Sequence, residues 1–315
     1  MSEAAFASRA AIVATAGETI ARGSHSFALA SRLFDRKTRH RAWLLYAWCR
    51  ACDDLADGQV LGHGMQQLGD APARVAAIRA LTERALAGEP VGHPAFDALR
   101  YVAAECALPH RFVWDVVEGF AMDARDWRPR SERDLLQYCY HVAGAVGCLM
   151  AVVMGVDPAD DALLDRATDL GLAFQLANVA RDIEEDGRAG RCYLPVDWLV
   201  EMDVPPGEHL KPPFRPRLAV LAKRLATCAE LYGTSARGGA QALPFRSRWA
   251  VLAAARIYGA IAVKVAERGE HAWDHRVTVP AAEKLGHVAA ALGEAMNQRP
   301  VPTRDPALWT RPRHG

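Results

Sequence analysis

An all-helical protein is what this sequence of 315 residues predicts. Ala, Leu, Arg and Glu dominate long segments in which apolar residues recur every three or four positions, the period of an amphipathic helix. Alternating runs of β-branched residues and the turn dipeptides that join hairpin strands are nearly absent. No repeat, low-complexity tract or linker divides the chain, and its length suits one large core. We therefore expect one helical domain over residues 1–298 and a proline-rich tail over residues 299–315.

The helical period continues along the chain and divides it into consecutive helices. Five prolines between residues 203 and 217 interrupt the period and predict an irregular connection there. Pro280 suits the first turn of the last helix, where a backbone N–H has no partner within the helix. The predicted helices cover residues 5–20, 24–33, 40–57, 68–88, 94–106, 110–124, 132–155, 159–187, 215–232, 246–268 and 280–297.

The charges of the chain nearly cancel, with 38 Lys and Arg against 37 Asp and Glu and a formal net charge of +1. This balance creates no long-range field that would attract nucleic acid or an anionic membrane, so we expect no nucleic-acid partner. Any anion that the protein binds must be held by a local arrangement of side chains.

The cysteines and the apolar segments indicate where the protein works. The seven cysteines have no framework spacing, and their odd number argues against a secreted disulfide scaffold. Residues 1–20 carry no basic leader of the kind that opens a signal peptide. The longest nearly charge-free run, residues 142–156, is too short to span a bilayer and predicts a buried helix. We expect a cytoplasmic protein.

Cys49 and Cys52 form a CxxC pair, a spacing found in redox motifs and in zinc sites. No second CxxC or pair of histidines follows, and both cysteines lie in a strongly helical, apolar stretch. Packing in the core is the favoured interpretation of this pair.

A narrow line of polar residues crosses the apolar helix predicted over residues 40–57. Its members are Tyr46, Arg50, Asp53 and Asp57, whose spacing at about 100° per residue places them along one line. Asp54 lies beside it. A helix that faces solvent shows a broader polar face. We therefore interpret this line, the first polar stripe, as facing an internal cavity.

The helix predicted over residues 159–187 repeats the arrangement. Its polar line, the second polar stripe, consists of Gln175, Asn178, Asp182 and Asp186, and the residues on either side are apolar. The alternative interpretation is that these acids form a solvated face or the charged end of a helix. Asp186 fits that alternative best, because it closes an acidic run just before Gly187.

Two carboxylates one helical turn apart repel each other, and burial makes the repulsion more costly. Such a pair persists where a cation compensates it. Oxygen ligands without His or Cys select a hard ion such as Mg²⁺, with Mn²⁺ as the alternative. Mg²⁺ commonly completes its coordination with phosphate oxygens of a substrate. Two facing stripes would therefore hold metal ions with a diphosphate between them.

The same residues carry a resemblance to a known family. LYAWCR at 45–50, leading into DDLAD at 53–57, resembles the first aspartate-rich motif of the squalene and phytoene synthase family, and QLANVARDIEED at 175–186 resembles the second. The resemblance is collinear over residues 22–290, and within the family it is strongest to the bacterial phytoene synthases of carotenoid biosynthesis. His25 departs from the pattern, because Lys is frequent there in relatives. Further family-like segments are SHSF at 24–27, GFAMD at 119–123, YCYHVAGAVG at 138–147, RCYLP at 191–195 and RVTVP at 276–280.

The resemblance implies the isoprenoid synthase fold, a single helical domain around a central cavity, and it implies roles for individual residues. Asp53 and Asp57 would bind Mg²⁺ and one diphosphate, and Asn178, Asp182 and Asp186 would bind further Mg²⁺ and the other. Tyr138 would lie near the reacting carbons, as a catalytic residue with the four aspartates. The implied substrate-binding residues are Gly23, Ser24, His25, Ser26, Tyr46, Arg50, Gln175, Arg181 and Tyr258.

The resemblance also implies the reaction, a magnesium-dependent head-to-head condensation of two geranylgeranyl diphosphates. It would pass through a cyclopropyl diphosphate to phytoene, with no nicotinamide cofactor. Isoprenyl diphosphates would be the partners, and the insoluble product implies peripheral contact with the inner membrane. One alternative is a squalene or dehydrosqualene synthase that uses farnesyl diphosphate. Squalene formation needs a reductant, and no GxGxxG follows a predicted strand. A second alternative is a non-catalytic assembly protein, but such relatives lose the aspartates.

Small residues favour the longer substrate. Ala143, Gly144, Gly147 and Ala151 recur on neighbouring turns of one predicted helix. Small side chains along the cavity would leave room for a twenty-carbon chain, so we expect twenty-carbon diphosphates to be preferred over fifteen-carbon ones.

Overall fold

Helices form every regular element in the part of the chain that the structure describes. The structure is a computed structural model, and it describes residues 8–57, 71–297 and 301–313. No β-strand occurs within those ranges, in agreement with the predicted all-helical class. For residues 25, 26 and 57 the backbone is described, whereas the side chains of His25, Ser26 and Asp57 lie outside the described part.

The helices occur in the predicted order, and most of their ends lie within a few residues of the predicted ones. Short 3₁₀ turns precede and follow the two long helices near the carboxyl end, at Pro212–Phe214 and Gly269–His271. The α-helices are α1 (Arg9–Gly23), α2 (His25–Ser31), α3 (Arg36–Asp57), α4 (Ala71–Leu86), α5 (Pro94–Cys106), α6 (His110–Asp123), α7 (Glu132–Cys139), α8 (Ala145–Val153), α9 (Asp161–Arg188), α10 (Val196–Glu201), α11 (Arg215–Ala240), α12 (Phe245–Arg268) and α13 (Ala281–Met296).

Local capping chemistry sets where several helices begin. The Ser131 hydroxyl accepts a hydrogen bond from the Asp134 N–H at 3.3 Å, and the Asp134 carboxylate accepts one from the Ser131 N–H at 3.0 Å. This reciprocal capping box starts α7. Asp160 caps α9 through a single bond, by accepting from the Leu163 N–H at 3.0 Å. Each cap satisfies a backbone donor that has no partner inside the helix.

Helices α11 and α10 differ from the sequence prediction. Helix α11 continues to Ala240, whereas the pattern predicted an end at residue 232. Its last turns contain Gly238 and Gly239, which are poor helix formers but pack against the Arg166 side chain of α9. Tertiary contact therefore extends the helix beyond its local preference. The short helix α10 follows Pro195 and was not predicted, because six residues are too few for a helical period.

The helix predicted over residues 132–155 is interrupted by a π-helical segment, Tyr140–Gly144. Glycines on the neighbouring helices let this wider segment pack closely. A Cβ added at Gly119 of α6 would lie 2.9 Å from Val142 Cγ1, and one added at Gly171 of α9 would lie 2.4 Å from the Ala143 carbonyl oxygen. A π-helical turn changes which side chains share a face, so it reorients the residues that follow.

Helix α9 lies at the centre of the molecule and packs against α8, α11 and α12. Its apolar face buries Leu164, Leu172 and Leu176 almost completely. Burial of each such side chain stabilises the fold by about 1.5–3 kcal/mol. Both ends of this helix are therefore held firmly, which places the second polar stripe at a defined position.

The segment 301–313, predicted as part of a tail, lies against the helices. The guanidinium of Arg304 donates to both carboxylate oxygens of Asp169 on α9, at 2.7 and 2.8 Å. The Trp309 N–H donates to the Tyr232 hydroxyl of α11 at 3.1 Å. The segment is thus fixed to two central helices.

Two stretches of the described chain are long and apolar enough to cross a membrane by length and composition alone, Glu132–Val153 and Phe245–His271. Core helices of globular proteins pass the same test. In the first stretch, 67% of the most apolar window is buried inside the bundle. That burial matches the expected buried helix over residues 142–156.

Candidate active site

A cavity of about 740 Å³ lies between α2, α3, α8, α9, α11 and α12, and both polar stripes reach it. Tyr46 and Arg50 line it from α3. Gln175, Asn178 and Arg181 line it from α9. The structure therefore brings the first two members of each stripe together at one end of the cavity, the polar end, which Arg276 and Lys284 also line. The carboxylates of Asp53, Asp182 and Asp186 continue the stripes beyond this lining.

The rest of the cavity wall is largely apolar. Leu163 and Arg181 both line the cavity and lie about 27 Å apart along α9, at 1.5 Å of rise per residue. The space is therefore elongated, with charged groups at the end near Arg181. The apolar lining includes Phe34, Val142, Val146, Met150, Met154, Leu170, Phe174, Leu243, Val251, Ala254, Ile257 and Ile261.

Three of the four small residues expected along the cavity are in its wall. Ala143, Gly147 and Ala151 line it. The expectation for Gly144 is wrong, because a Cβ there would lie 3.1 Å from both Thr168 Cγ2 and Leu172 Cδ1 of α9. The π-helical segment turns Gly144 toward α9, so this glycine permits close helix packing.

The amino-terminal part of the polar end is built around Tyr46. Gly23 and Ser24 line the cavity next to it. A Cβ on Gly23 would lie 2.5 Å from the Tyr46 hydroxyl oxygen, so the last turn of α1 approaches this closely because it ends in glycine. Ser24 caps α2 by accepting a hydrogen bond from the Phe27 N–H at 3.3 Å. The predictions for His25 and Ser26 concern side chains outside the described part.

The first stripe pairs its charges within α3. The Arg50 guanidinium donates to the Asp53 carboxylate at 2.5 Å, one turn along the helix. Arg50 is the more buried partner, with 21% of its side chain exposed against 41% for Asp53. Asp57 ends α3, and the prediction for its carboxylate falls outside the described side chains.

The second stripe meets two arginines. Arg181 binds the Asp182 carboxylate with two hydrogen bonds of 2.8 and 2.5 Å, a bidentate pairing. Arg276, from the segment before α13, approaches the same carboxylate at 3.1 Å and also pairs with Glu185. The Asn178 amide lies 3.5 Å from the Gln175 side-chain oxygen. Asp182 is therefore fully compensated by guanidinium groups.

The electrostatic surroundings of Asp186 differ from those of Asp182. Burial, and then the nearby charge of Asp182, raise its pKa from the ordinary 3.8 to about 7. Asp123 adds to this effect, while Arg191 opposes it. A carboxyl group in such surroundings is stabilised as an anion only when a further positive charge approaches. Asp186 therefore does not behave as the solvated helix end that was the alternative interpretation.

The donor atoms at this end suit a hard divalent ion. The side chains of Asn178, Asp182 and Asp186 offer oxygen atoms as metal ligands. The raised pKa of Asp186 indicates that a cation would be favourable beside it. No three His, Cys, Asp or Glu side chains among the described residues form a ready ligand cluster. An ion would therefore bind together with a partner that brings further oxygens. The Asp182 carboxylate would then contact both the ion and the Arg181 guanidinium.

Tyr138 occupies an aromatic cluster beside the acidic end of α9 and is not part of the lining described above. Its hydroxyl donates to Asp123 at 3.0 Å, and the Tyr193 hydroxyl donates to the same carboxylate oxygen at 3.0 Å. The Tyr138 ring stacks on Tyr193 at 4.8 Å and on Trp127 at 5.5 Å. Burial, and then the Asp123 charge, hold the pKa of Tyr138 well above 10. Its phenol therefore stays protonated near neutral pH.

Tyr258 of α12 lines the cavity opposite the second stripe. Its ring stacks on Phe174 with 4.1 Å between the centroids and 17° between the planes. The pair places an aromatic surface at the junction between the polar end and the apolar part.

The comparisons with known proteins agree with this geometry. The family model described as squalene/phytoene synthase matches residues 20–283, which include both polar stripes and Arg276. This chain belongs to the squalene/phytoene synthase family. The predicted resemblance and the prediction of a prenyl-transferring enzyme are thereby confirmed.

Two bacterial members of the family resemble the chain over nearly its whole length. The 15-cis-phytoene synthase of Pantoea ananas is 46% identical over 299 residues, covering 94% of this chain and 96% of its own. The 15-cis-phytoene synthase of Enterobacter agglomerans is 45% identical over 294 residues, covering 92% and 99%. A dehydrosqualene synthase crystallised with a ligand superposes with a TM-score of 0.80 at 25% identity, covering 90% and 96%. The predicted isoprenoid synthase fold is therefore confirmed.

Several residues in and around the candidate active site were not predicted from the sequence as site residues. Arg276 lay in a segment quoted for the resemblance, but it precedes a helix and no helical period connects it to the stripes. Lys284 and Arg166 belong to neither polar stripe and to none of the family-like segments. Asp123 and Tyr193 are 70 positions apart, and only the folded chain joins them through the shared hydrogen bond.

The CxxC pair lies within the bundle. Cys52 is fully buried in the core, and Cys49 lines the cavity beside Arg50. Both thiols are free, and burial raises the pKa of Cys49 to about 12. A protonated, buried thiol is a packing group, in keeping with the favoured interpretation.

Proposed function

We propose that this chain has phytoene synthase activity and joins two geranylgeranyl diphosphates head to head. The observation that carries the proposal is the convergence of both polar stripes on one end of a long apolar cavity. A diphosphate head and an isoprenoid chain need this combination. The 15-cis-phytoene synthase of Pantoea ananas, 46% identical, supports the choice of product.

Recognition of the diphosphates would rest on the arginines at the polar end. Arg50, Arg181 and Arg276 converge there, and their guanidinium groups match phosphate oxygens in bidentate geometry. Tyr46, Gln175 and the backbone at Gly23 and Ser24 add neutral hydrogen-bonding groups. Each of the three arginines holds a carboxylate in the absence of substrate. A diphosphate that binds there would replace a carboxylate as the partner of the guanidinium group.

Mg²⁺ would be held by Asn178, Asp182 and Asp186 on one side and by Asp53 and Asp57 on the other. When bound, it neutralises the diphosphate oxygens so that the leaving group departs as a stable anion. The raised pKa of Asp186 supports this role, since a cation there favours the ionised carboxylate. Mn²⁺ has a similar preference for oxygen ligands and is the alternative ion.

The apolar cavity would protect the allylic cation that forms when the diphosphate leaves. Its walls exclude water, so the double bond of the second substrate attacks the cation and gives a cyclopropyl diphosphate. The stacked Tyr258 and Phe174 lie where the isoprenoid chain would leave the polar end, and their ring faces can stabilise positive charge. A second ionisation, rearrangement and proton loss would give phytoene.

Tyr138 would act near the same end through Asp123. The shared carboxylate fixes Tyr138 and Tyr193 as hydrogen-bond donors. The electrostatic coupling of Asp123 to Asp186 links this cluster to the second stripe. We propose that Tyr138 shapes the environment of the reacting carbons at that end.

The two alternative functions make different demands on the chain. A squalene synthase uses farnesyl diphosphate and a reductant, and a dehydrosqualene synthase uses the same shorter substrate without one. A non-catalytic assembly protein would not need compensated carboxylates around a cavity, whereas Asp53 and Asp182 each stand in an arginine pair.

The direct test is incubation of the purified protein with geranylgeranyl diphosphate and Mg²⁺, without nicotinamide cofactor. We expect a forty-carbon hydrocarbon by mass spectrometry. A thirty-carbon product alone from mixed substrates, or a requirement for NADPH, would assign the sister activity. No product with either diphosphate would favour the non-catalytic protein.

Single variants test the assigned residues. Asp53→Asn and Asp182→Asn should each lower kcat by about 10²–10³, the cost of losing one stabilising group at a developing charge. Glu184→Gln is the matched control, because Glu184 lies beside the second stripe but pairs with exposed Arg188. Normal turnover in either aspartate variant would contradict the proposed metal sites.

We further propose that the enzyme works in the cytoplasm, peripherally associated with the inner membrane, where a later enzyme takes up its insoluble product. The net charge of +1 supports weak, salt-insensitive binding to lipid vesicles and no binding of nucleic acid.

A further inference from the structure

Three arginines of the segment 301–313 are bound to one face of α9. Their partners are aspartates spaced four positions apart, so they form an acidic line on that helix, at the end opposite to the second stripe. Each pair joins residues more than 130 positions apart. The pairs are Arg304–Asp169, Arg311–Asp161 and Arg313–Asp165.

The Arg304–Asp169 pair is the most buried of the three, with 15% of the Arg304 side chain exposed. The Asp169 side chain has no exposed surface, and Arg304 binds it with two hydrogen bonds of 2.7 and 2.8 Å. The Ser235 hydroxyl of α11 donates to the same carboxylate at 2.6 Å. The carboxyl-terminal segment, α9 and α11 are therefore joined at this point by charged hydrogen bonds.

Arg166 lies one turn away on α9 and lines the cavity. Its guanidinium donates to the Ser235 carbonyl at 2.7 Å and to the carbonyl of Pro302 in the carboxyl-terminal segment. Its aliphatic stem packs on α11, where a Cβ added at Gly239 would lie 2.7 Å from Arg166 Cβ. Arg166 thus lines the cavity while its guanidinium is held by two backbone carbonyls, and we infer that its aliphatic stem forms the part that borders the cavity.

Arg166 stands far from the polar end. It precedes Arg181 on α9 by about 22 Å, at 1.5 Å of rise per residue. Leu163, Ala236, Gly239 and Ala240 line the same part of the cavity. Small residues and the Arg166 stem therefore form the apolar end wall.

We propose that the carboxyl-terminal segment sets the depth of the cavity by holding Arg166 in its end wall, so that Arg166 and Arg304 limit the length of the isoprenoid chain. Arg166 lines the cavity and is a specificity residue, and Arg304 is a positioning residue that acts through it. The Pro302 carbonyl fixes the guanidinium, and the buried Arg304–Asp169 pair fixes the segment that carries this carbonyl. Without these bonds the charged head turns toward water and the stem leaves the wall.

This inference rests on the proposed function, and it is tested by the preference between two substrates. The probes are geranylgeranyl diphosphate and the twenty-five-carbon geranylfarnesyl diphosphate, supplied in competition. Arg166→Ala should raise the ratio of kcat/KM for the longer over the shorter substrate by about tenfold, the scale of steric discrimination by one pocket contact. The double variant Arg304→Gln/Asp169→Asn, which removes both buried charges together, should raise it in the same direction by less.

The matched control is Arg313→Gln, which removes an arginine contact between the same segment and the same helix while Asp165 keeps its pairing with Arg311. Arg313 is about half exposed and makes no contact with Arg166, so the ratio should stay at the wild-type value. An unchanged ratio in Arg166→Ala, or an equal rise in the control, overturns the proposal. If Arg166→Ala does not fold as judged by circular dichroism, Arg166→Val is the substitute test, because it shortens the same side chain while still filling the space next to the backbone.

Binding separates this inference from the proposed activity. Unreactive thiolo-diphosphate analogues of the two chain lengths, titrated into wild type and variants, report the cavity depth without turnover. A selective gain in affinity for the longer analogue in Arg166→Ala supports the proposal even if the wild type makes no phytoene. Equal affinities in wild type and variant overturn it while leaving the activity untouched.

Discussion

At the scale of single residues, the polar end is a set of carboxylates that differ in how they are compensated. Asp182 is held by Arg181 and Arg276, and Asp53 is held by Arg50. Asp186 is half-buried beside Asp182, and its removal from water, followed by the Asp182 charge, raises its pKa. The site therefore carries an electrostatic deficit at one defined carboxyl group, which is where a cation has most to contribute.

This deficit predicts how stability depends on pH. Because the folded state raises the Asp186 pKa from 3.8 to about 7, the protonated carboxyl is favoured by folding. Its contribution is fully present below about pH 4 and is lost as pH rises to about 7, amounting to at most about 4 kcal/mol. In a chelating buffer, the free energy of unfolding of the wild type should fall from pH 5 to 8 relative to that of Asp186→Asn.

Urea denaturation of both proteins at several pH values measures this difference. Glu230→Gln, at an exposed position on α11, is the control and should follow the wild type. Mg²⁺ should recover more stability in the wild type than in Asp186→Asn at pH 8, because the ion binds the ionised carboxylate. Parallel pH profiles for wild type and Asp186→Asn would show that Asp186 ionises normally.

At the scale of elements, glycines decide how closely the helices approach. Gly147 of α8 faces the Ala167 carbonyl, and Gly171 of α9 faces the Ala143 carbonyl, each with room for hydrogen alone. These approaches hold the π-helical segment against α9 and bring Ala143 to the cavity. The same glycines in isolated helices would only lower stability, since glycine is a poor helix former.

Two glycine substitutions should therefore have opposite signs. Gly171→Ala places a Cβ 2.4 Å from the Ala143 carbonyl oxygen, so the backbones must separate, and we expect a loss of about 1–3 kcal/mol. Gly259→Ala on α12 meets no atom within 4 Å and should gain about 0.5–1 kcal/mol from helix propensity. Urea midpoints measure both. Stabilisation by Gly171→Ala would mean that the π-helical segment and α9 pack less closely than the structure shows.

At the scale of the whole molecule, the cavity runs from the stripes to the wall around Arg166. Filling its middle should shorten the chain that fits. Ala143→Phe should reduce kcat/KM for the twenty-carbon diphosphate relative to that for the fifteen-carbon one. The reduction should correspond to a difference in activation free energy of about 1–3 kcal/mol. Gly147→Leu is a poorer test, because its Cβ would meet the Ala167 carbonyl oxygen at 2.4 Å and disturb packing.

Competition between the two diphosphates, with products identified by mass, measures this preference. Met150→Leu, a volume-conserving change in the same wall, is the control and should leave the ratio unaltered. Equal loss of both substrates in Ala143→Phe would indicate that the substitution damages the fold and does not shorten the cavity.

Features that depend on neighbours along the chain could be predicted from the sequence. The helical period located most of the helices, and it placed Arg50 with Tyr46 and Asn178 with Gln175, all of which line one cavity. The helix period relates side chains within about two turns regardless of the rest of the molecule. The aspartate motifs also carried the family resemblance, which the comparisons confirm.

Tertiary structure decided the features that join distant parts of the chain. It turned Gly144 away from the cavity, brought Arg276 to Asp182, and docked Arg304 on Asp169, 135 positions earlier. No local pattern encodes these contacts, because they depend on the distances and angles at which helices pack. Those distances are set by many buried side chains acting together, and by glycines whose importance appears only when the opposing backbone is in place.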